Sequence, residues 1–220
     1  LMKEGKATWW CDTEYVWRKG LEKPFQYLVD RWKEEGILDW ILQGRVNLIW
    51  TGGEPTIPKN QRAIINFTKW FNKKFNIGYV SSKTFHEIET NGTLYIEDEL
   101  FNTLNQINCS VKLANSGMSK KRRIVPEALN RIMEHPGYWF KFVISNEEDM
   151  EEIIKDFIVS FKFVPNKNNT FISNQDLFGI NGSFYIVNDV TKESKNNEDT
   201  SNETKEIHLE TEKMLNDVPD

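Results

Sequence analysis

An α/β domain with a mostly parallel sheet is what this sequence predicts, and three observations predict it. The apolar run Leu48-Ile-Trp50 stops at Thr51-Gly-Gly-Glu-Pro55. A second strand-like run stops at Glu89-Thr-Asn-Gly-Thr93. Helical periodicity fills the stretch between them and returns after the second, which is the signature of repeated strand–helix units. In such units ligand chemistry gathers where the strands end.

The elements follow in order. Residues 24–43 read as helix, because Phe25, Leu28, Val29, Trp32, Ile37, Trp40 and Ile41 recur at helical spacing, with a break at Gly36. Residues 46–50 form a short apolar strand. Residues 60–75 return to helical period through Ile64, Ile65, Phe67, Phe71 and Phe75. Strand is expected at 84–90, a short helix at 96–104 and an alternating strand at 107–113. Pro126 opens a helix whose apolar face is Ala128, Leu129, Ile132 and Met133, since proline suits a first turn. Residues 139–144 read as strand. Ser145 is placed to cap a helix to about residue 157, with Glu147, Glu148 and Asp149 at the positive end of its dipole. A further strand is expected at 158–164, and one or two short strands within 171–187. Right-handed crossovers bring the loops after Trp50, Glu89, Lys112 and Ile144 to one side. Whether the sheet curls into a partial barrel or stays open does not follow from this pattern.

At 220 residues, the chain has room for one medium domain and a tail. The expected division is 1–187 for the α/β domain and 188–220 for a polar, acidic, disordered tail. That tail explains the net charge of −5: residues 189–220 hold ten acids and four lysines, a net of −6, so the remainder is at +1. With no dense basic stripe, nucleic acid is not an expected partner. Lys120-Lys-Arg-Arg123 is the one basic run and reads as a solvated loop before a helix. No apolar run is long enough for a membrane span, and Cys11 and Cys109 make no disulfide framework, so a cytoplasmic protein is expected. The first residue is Leu, from which an absent amino-terminal piece is expected.

Three segments carry candidate chemistry. In Thr51-Gly-Gly-Glu-Pro55, two glycines let the backbone approach a ligand, and the glutamate can accept from an ammonium group. The bland alternative is an ordinary strand-to-loop turn. Trp9-Trp-Cys-Asp-Thr-Glu-Tyr15 places a cysteine among aromatics, which alone reads equally as a buried thiol. Cys109-Ser-Val-Lys-Leu-Ala-Asn-Ser-Gly117 delivers hydroxyls and a lysine from a strand end, or is a solvated loop.

Taken together, Trp-Cys-Asp-Thr, Thr-Gly-Gly-Glu-Pro, Glu-Thr-Asn-Gly-Thr and Ser-x-Lys-Leu-Ala-Asn-Ser-Gly resemble the radical S-adenosylmethionine superfamily. Within it they resemble the 7-carboxy-7-deazaguanine synthases of queuosine biosynthesis, in a phage-like version. The resemblance spans residues 7–163. It implies a partial (β/α)6 TIM-like barrel of the radical S-adenosylmethionine type. It implies a lyase that contracts 6-carboxy-5,6,7,8-tetrahydropterin to 7-carboxy-7-deazaguanine with loss of ammonia. The implied cofactors are a [4Fe–4S] cluster, S-adenosylmethionine and Mg²⁺. Cys11 would ligate the cluster and Thr13 the Mg²⁺ ion beside the substrate. Gly52, Gly53 and Glu54 would hold the methionine ammonium, and Ser110 and Lys112 would lie near the cofactor's ribose or carboxylate. Glu89, with the Asn91 and Gly92 turn, would face the pterin, Glu89 and Lys112 carrying catalytic roles. A homodimer and an electron donor such as flavodoxin complete the expected partners.

The chain departs from that family in places. Thr8 and Glu4 stand where two further cluster cysteines fall in the usual spacing, and Val111 stands where proline is usual. Missing ligands upstream of Leu1, or a degenerate relative without a cluster, are the two explanations. An activase that generates a glycyl radical is the other enzyme reading. Among the histidines, His86 on the strand before Glu89 is expected to be structural and His135 to complement a helix dipole; His208 lies in the tail. The tryptophans read as core rather than base-stacking platforms.

Overall fold

The computed structural model of the chain describes residue 7 and residues 20–77, 84–159 and 183–188. Helices α1 (Phe25–Glu34) and α2 (Leu38–Leu42) precede strand β1 (Leu48–Trp50) and helix α3 (Pro58–Lys74). Then come β2 (His86–Thr90), α4 (Asp98–Phe101), β3 (Gln106–Ser110), a 3-10 turn (Ala114–Ser116), α5 (Lys120–Arg123) and α6 (Pro126–Met133). Strand β4 (Tyr138–Ile144), α7 (Glu147–Ile153), a π-helical turn (Ile154–Val159) and β5 (Ser183–Asn188) follow. The chain is thus of the α/β class.

All the described strands are parallel and lie in sequence order, β1-β2-β3-β4-β5. With right-handed crossovers, a sequential order puts every connecting helix on the same side. The packing agrees. Ile64 and Ile65 of α3, Leu100 of α4, Leu129 and Ile132 of α6 and Ile153 of α7 share one core with Ile88, Ile107, Cys109, Phe140 and Phe142 of the sheet. A second apolar cluster fastens the amino-terminal helices to β1 and α3. Phe67 is its hub, with Phe25, Trp32 and Trp50 edge-on at 5.4, 5.9 and 5.3 Å between ring centroids, arrangements that suit the ring quadrupoles. The tryptophans expected in the core are there at 32 and 50, whereas Trp40 is exposed beneath Arg45.

The opposite face of the sheet is mostly polar, with Ile49, Trp139 and Val143 at the apolar positions of the same parity. Asn47, Thr51, Glu87, Glu89, Gln106, Asn108, Ser110 and Lys141 alternate with the core residues along β1 to β4. The lower part is a closed ladder: Glu87 accepts from Asn47 Nδ2 at 2.5 Å and Asn108 Nδ2 at 3.1 Å, and Asn108 Oδ1 accepts from Gln106 Nε2 at 2.8 Å. Central parallel strands are ordinarily apolar on both faces, so this face is specialised.

Several expectations are corrected. Ile158 and Val159 lie in the π-helical turn, not at the start of a strand; residues 160–164 lie outside those described. The cap of α7 is Asn146, whose Oδ1 accepts from Asp149 N at 3.1 Å, and Ser145 instead donates its N–H to Asp149 Oδ2 at 2.7 Å. Adjacent polar residues can both satisfy a helix start, and spacing alone does not choose between them. The basic run is a helix rather than a solvated loop, and Arg123 is buried. His135 complements no dipole as a cation: its ring is buried, Nδ1 accepts from Gly137 N at 3.1 Å, Nε2 donates to Leu104 O at 3.1 Å, and burial lowers its pKa. The tail from residue 189, and Trp9, Trp10 and Trp17, lie outside the described residues.

His86 is structural, as expected. It is buried beside Trp50, whose Nε1 donates to Nδ1 at 3.3 Å, and burial pulls its pKa from 6.5 to about 4. A folded-state pKa below the unfolded one means protonation favours the unfolded chain. The contribution is complete above pH 6.5 and is lost as pH falls towards 4, at a cost of about 3 kcal/mol. Urea midpoints should therefore fall between pH 7 and 4.5, and His86→Gln should flatten that fall. An unchanged slope in the variant would exclude His86 as its source.

Candidate functional site

The site sits where β1 to β4 end. The loop after β1 passes through Gly52 at φ 87° and Gly53 at φ 55°, left-handed positions that glycine takes without strain. Both glycines are exposed. Open space surrounds the position a Gly52 Cβ would occupy, so backbone conformation rather than crowding calls for glycine there.

Glu54 then folds back as a latch. Its Oε1 accepts from Thr56 N at 2.9 Å, Thr56 Oγ1 at 2.5 Å and Thr90 Oγ1 at 2.7 Å, and its Oε2 accepts from Asn91 N at 2.9 Å. Thr56 and Thr90 are buried, so this carboxylate ties the loop after β1 to the end of β2. Any ligand ammonium would share it with four protein donors.

The turn after β2 is closed by Asn91, whose Oδ1 accepts from Thr93 N at 2.9 Å and Thr93 Oγ1 at 2.6 Å, an Asx turn. Gly92, at φ 73°, is buried against Cys109. Of the Glu-Thr-Asn-Gly segment, only Glu89 turns its side chain onto the polar face. Its Oε2 accepts from Thr51 Oγ1 at 3.3 Å and its Oε1 from Lys141 Nζ at 2.9 Å.

Beyond β3, Lys112 Nζ donates to Ser110 Oγ at 3.0 Å. The Leu-Ala-Asn-Ser-Gly segment that follows holds this lysine's backbone. Asn115 Nδ2 donates to Val143 O at 2.7 Å and Asp149 Oδ2 at 2.8 Å, and Ala114 N donates to Glu152 Oε2 at 2.8 Å. Arg123 Nη1 donates to Lys112 O at 3.2 Å, its Nε donates to Met118 O at 3.3 Å, and it pairs with Glu152.

Thr51, Glu89, Ser110, Lys112 and Lys141 are thus brought together on the polar face, beside the Gly52–Gly53 bend. Asn91 and Gly92 shape the turn beneath them. Cys11 and Thr13 lie outside the described residues. Lys141 and Thr51 were missed in the sequence. The signal for Lys141 was there, a lone charge in the run Tyr138-Trp-Phe-Lys-Phe-Val-Ile144.

No family model matches the chain, and no curated protein matches it. Nor do its residues supply the ligands of an iron–sulfur cluster. The sequence contains two cysteines, and Cys109 faces the helix-covered core, where burial and the Glu54 carboxylate push its thiol well above the ordinary range. A cluster needs three or four thiolates, so Cys11 alone does not make a set. Among the described residues no three His, Cys, Asp or Glu side chains are grouped to hold a metal ion. Among them, too, no helix is long and apolar enough to cross a membrane.

Proposed function

We propose that this chain is a binding domain of the 7-carboxy-7-deazaguanine synthase type that takes a 6-carboxypterin on the polar face of its sheet. The observation that carries the reading is the set Thr51, Glu89, Ser110, Lys112 and Lys141, the first four at the ends of β1 to β3 and Lys141 midway along β4, on the face opposite the one the described helices pack against. The sequential parallel order supports a partial (β/α)6 barrel, whose interior that face would line. The Gly52–Gly53 bend is the natural seat for the amino-acid end of S-adenosylmethionine, because exposed glycines let a ligand reach main-chain atoms.

Lyase activity, the ring contraction of 6-carboxy-5,6,7,8-tetrahydropterin with loss of ammonia, is the catalytic form of this reading. It requires thiolates beyond Cys11. The second form is a relative that binds a pterin without a cluster.

One experiment separates them. The chain, expressed with whatever residues precede Leu1 in its natural reading frame, is incubated anaerobically with iron and sulfide, its bound iron and charge-transfer absorbance are measured, and 6-carboxypterin binding is titrated in parallel by fluorescence. Pterin binding with about four irons per chain supports the synthase. Pterin binding without iron supports the cluster-less relative. Absence of pterin binding rejects both.

A further inference from the structure

Lys141 occupies an unusual position. It lies on β4 between Phe140 and Phe142, both wholly buried on the other face, and in register with Ser110 of β3. Its ammonium spans β3 to reach Glu89 on β2, two strands away, a crossing of about 10 Å between strand axes. Such a pair adds little to stability. Its side chains are 31% and 41% exposed, and solvent screens ion pairs that are this accessible. A lysine mid-strand in a parallel sheet is therefore poorly explained by folding alone.

The pair is also arranged to accept a ligand. Each Glu89 oxygen accepts one bond, from Thr51 or Lys141, so each keeps a lone-pair direction. The lysine ammonium has three donors, one of which points to Glu89. An acceptor pair and a donor thus stand side by side, with Nζ and Oε1 2.9 Å apart. The complement is a planar edge carrying two adjacent N–H donors followed by a carbonyl oxygen. A 2-amino-4-oxopyrimidine presents that order along its 2-amino group, N3–H and O4.

We propose that Glu89 and Lys141 together read the 2-amino-4-oxopyrimidine edge of the ligand, Glu89 accepting the two N–H bonds and Lys141 donating to the 4-oxo group. Lys141 is then the specificity-determining residue for the 4-oxo position. The inference rests on the pterin reading above and names the residue that selects within it. Thr51 holds the carboxylate in place, and the bidentate geometry is the one carboxylates favour.

The test compares 6-carboxypterin with its 4-thioxo analogue, which keeps the 2-amino group and N3–H but offers sulfur, a weak acceptor, in place of the 4-oxo oxygen. Affinities are measured by fluorescence titration of the full chain, wild type and with Lys141→Met or Lys141→Gln. Wild type should prefer the 4-oxo compound by about tenfold or more, equivalent to about 1.4 kcal/mol. Both substitutions should erase that preference, while Glu89→Gln weakens both compounds. Thermal melts report folding, and the glutamine variant keeps a polar head group should the methionine variant fold poorly. A preference that survives in a folded Lys141 variant overturns the inference and leaves the pterin reading standing. A wild type that binds neither compound overturns both.

Discussion

Replacing Arg123 with alanine should lower the unfolding free energy by about 3–5 kcal/mol, the usual cost of stranding one half of a buried ion pair. Arg123 and Glu152 are 5% and 12% exposed in their side chains. The contact is ionic more than directional, since Glu152 Oε1 receives no aligned N–H. Removing the guanidinium therefore leaves a carboxylate in low dielectric, and Lys112 O and Met118 O lose their donors. Restoring water to these groups means opening the 112–123 segment from α7. Urea titration measures the loss. The double substitution Arg123→Met, Glu152→Leu should recover a substantial part of it, because replacing both charges with apolar groups avoids the stranded ion. A single variant within 1 kcal/mol of wild type would mean that the pair is solvated, and the proposed anchoring of Lys112 would fail with it. On the proposed pterin reading, affinity for 6-carboxypterin should also fall with Arg123→Ala at temperatures where the chain stays folded, because the Lys112 backbone loses its tether.

Substituting Gly92 with alanine should cost about 3 kcal/mol, the sum of a left-handed backbone penalty and overpacking. A Cβ there would lie 2.5 Å from Cys109 Sγ and 2.9 Å from Leu129 Cδ2, at φ 73°. Neither neighbour can retreat, since both side chains are fully buried in the main core. The clash names its own suppressor. Cys109→Ala removes the closer atom, so the double variant should be less destabilised than the sum of the singles by about 1 kcal/mol or more. Gly52→Ala is the matched control: φ is again positive, at 87°, but nothing lies within 4 Å of its Cβ, so only the backbone penalty of about 1 kcal/mol applies. Equal losses at 52 and 92 in chemical denaturation would show that crowding at Cys109 contributes nothing.

Much of the architecture was legible in the sequence because it is written in local periodicity. The seven-residue run of β4, the amphipathic 17-residue α3 and the proline start of α6 each follow from spacing within one element. Edges were less legible, as the choice between Ser145 and Asn146 shows, because neighbouring polar side chains compete for the same backbone N–H groups. The basic run misled for a related reason. Four consecutive charges look solvated, yet one of them, Arg123, meets a glutamate 29 positions further on, and only the packing of α5 against α7 brings that partner within reach.

The site divides along the same line. Sequence alone determined that two glycines and an acid follow β1, that an acid and a tight turn end β2, and that a hydroxyl and a lysine end β3, since each is a short-range pattern with a local physical meaning. Tertiary structure decided which of those groups face the polar side of the sheet. It turned Glu54 inward as a latch, buried Cys109 and Gly92 against each other, and carried Lys141 across β3 to Glu89. Sheet order and crossover hand set those pairings, and they join residues 17 to 52 positions apart whose proximity local periodicity does not encode.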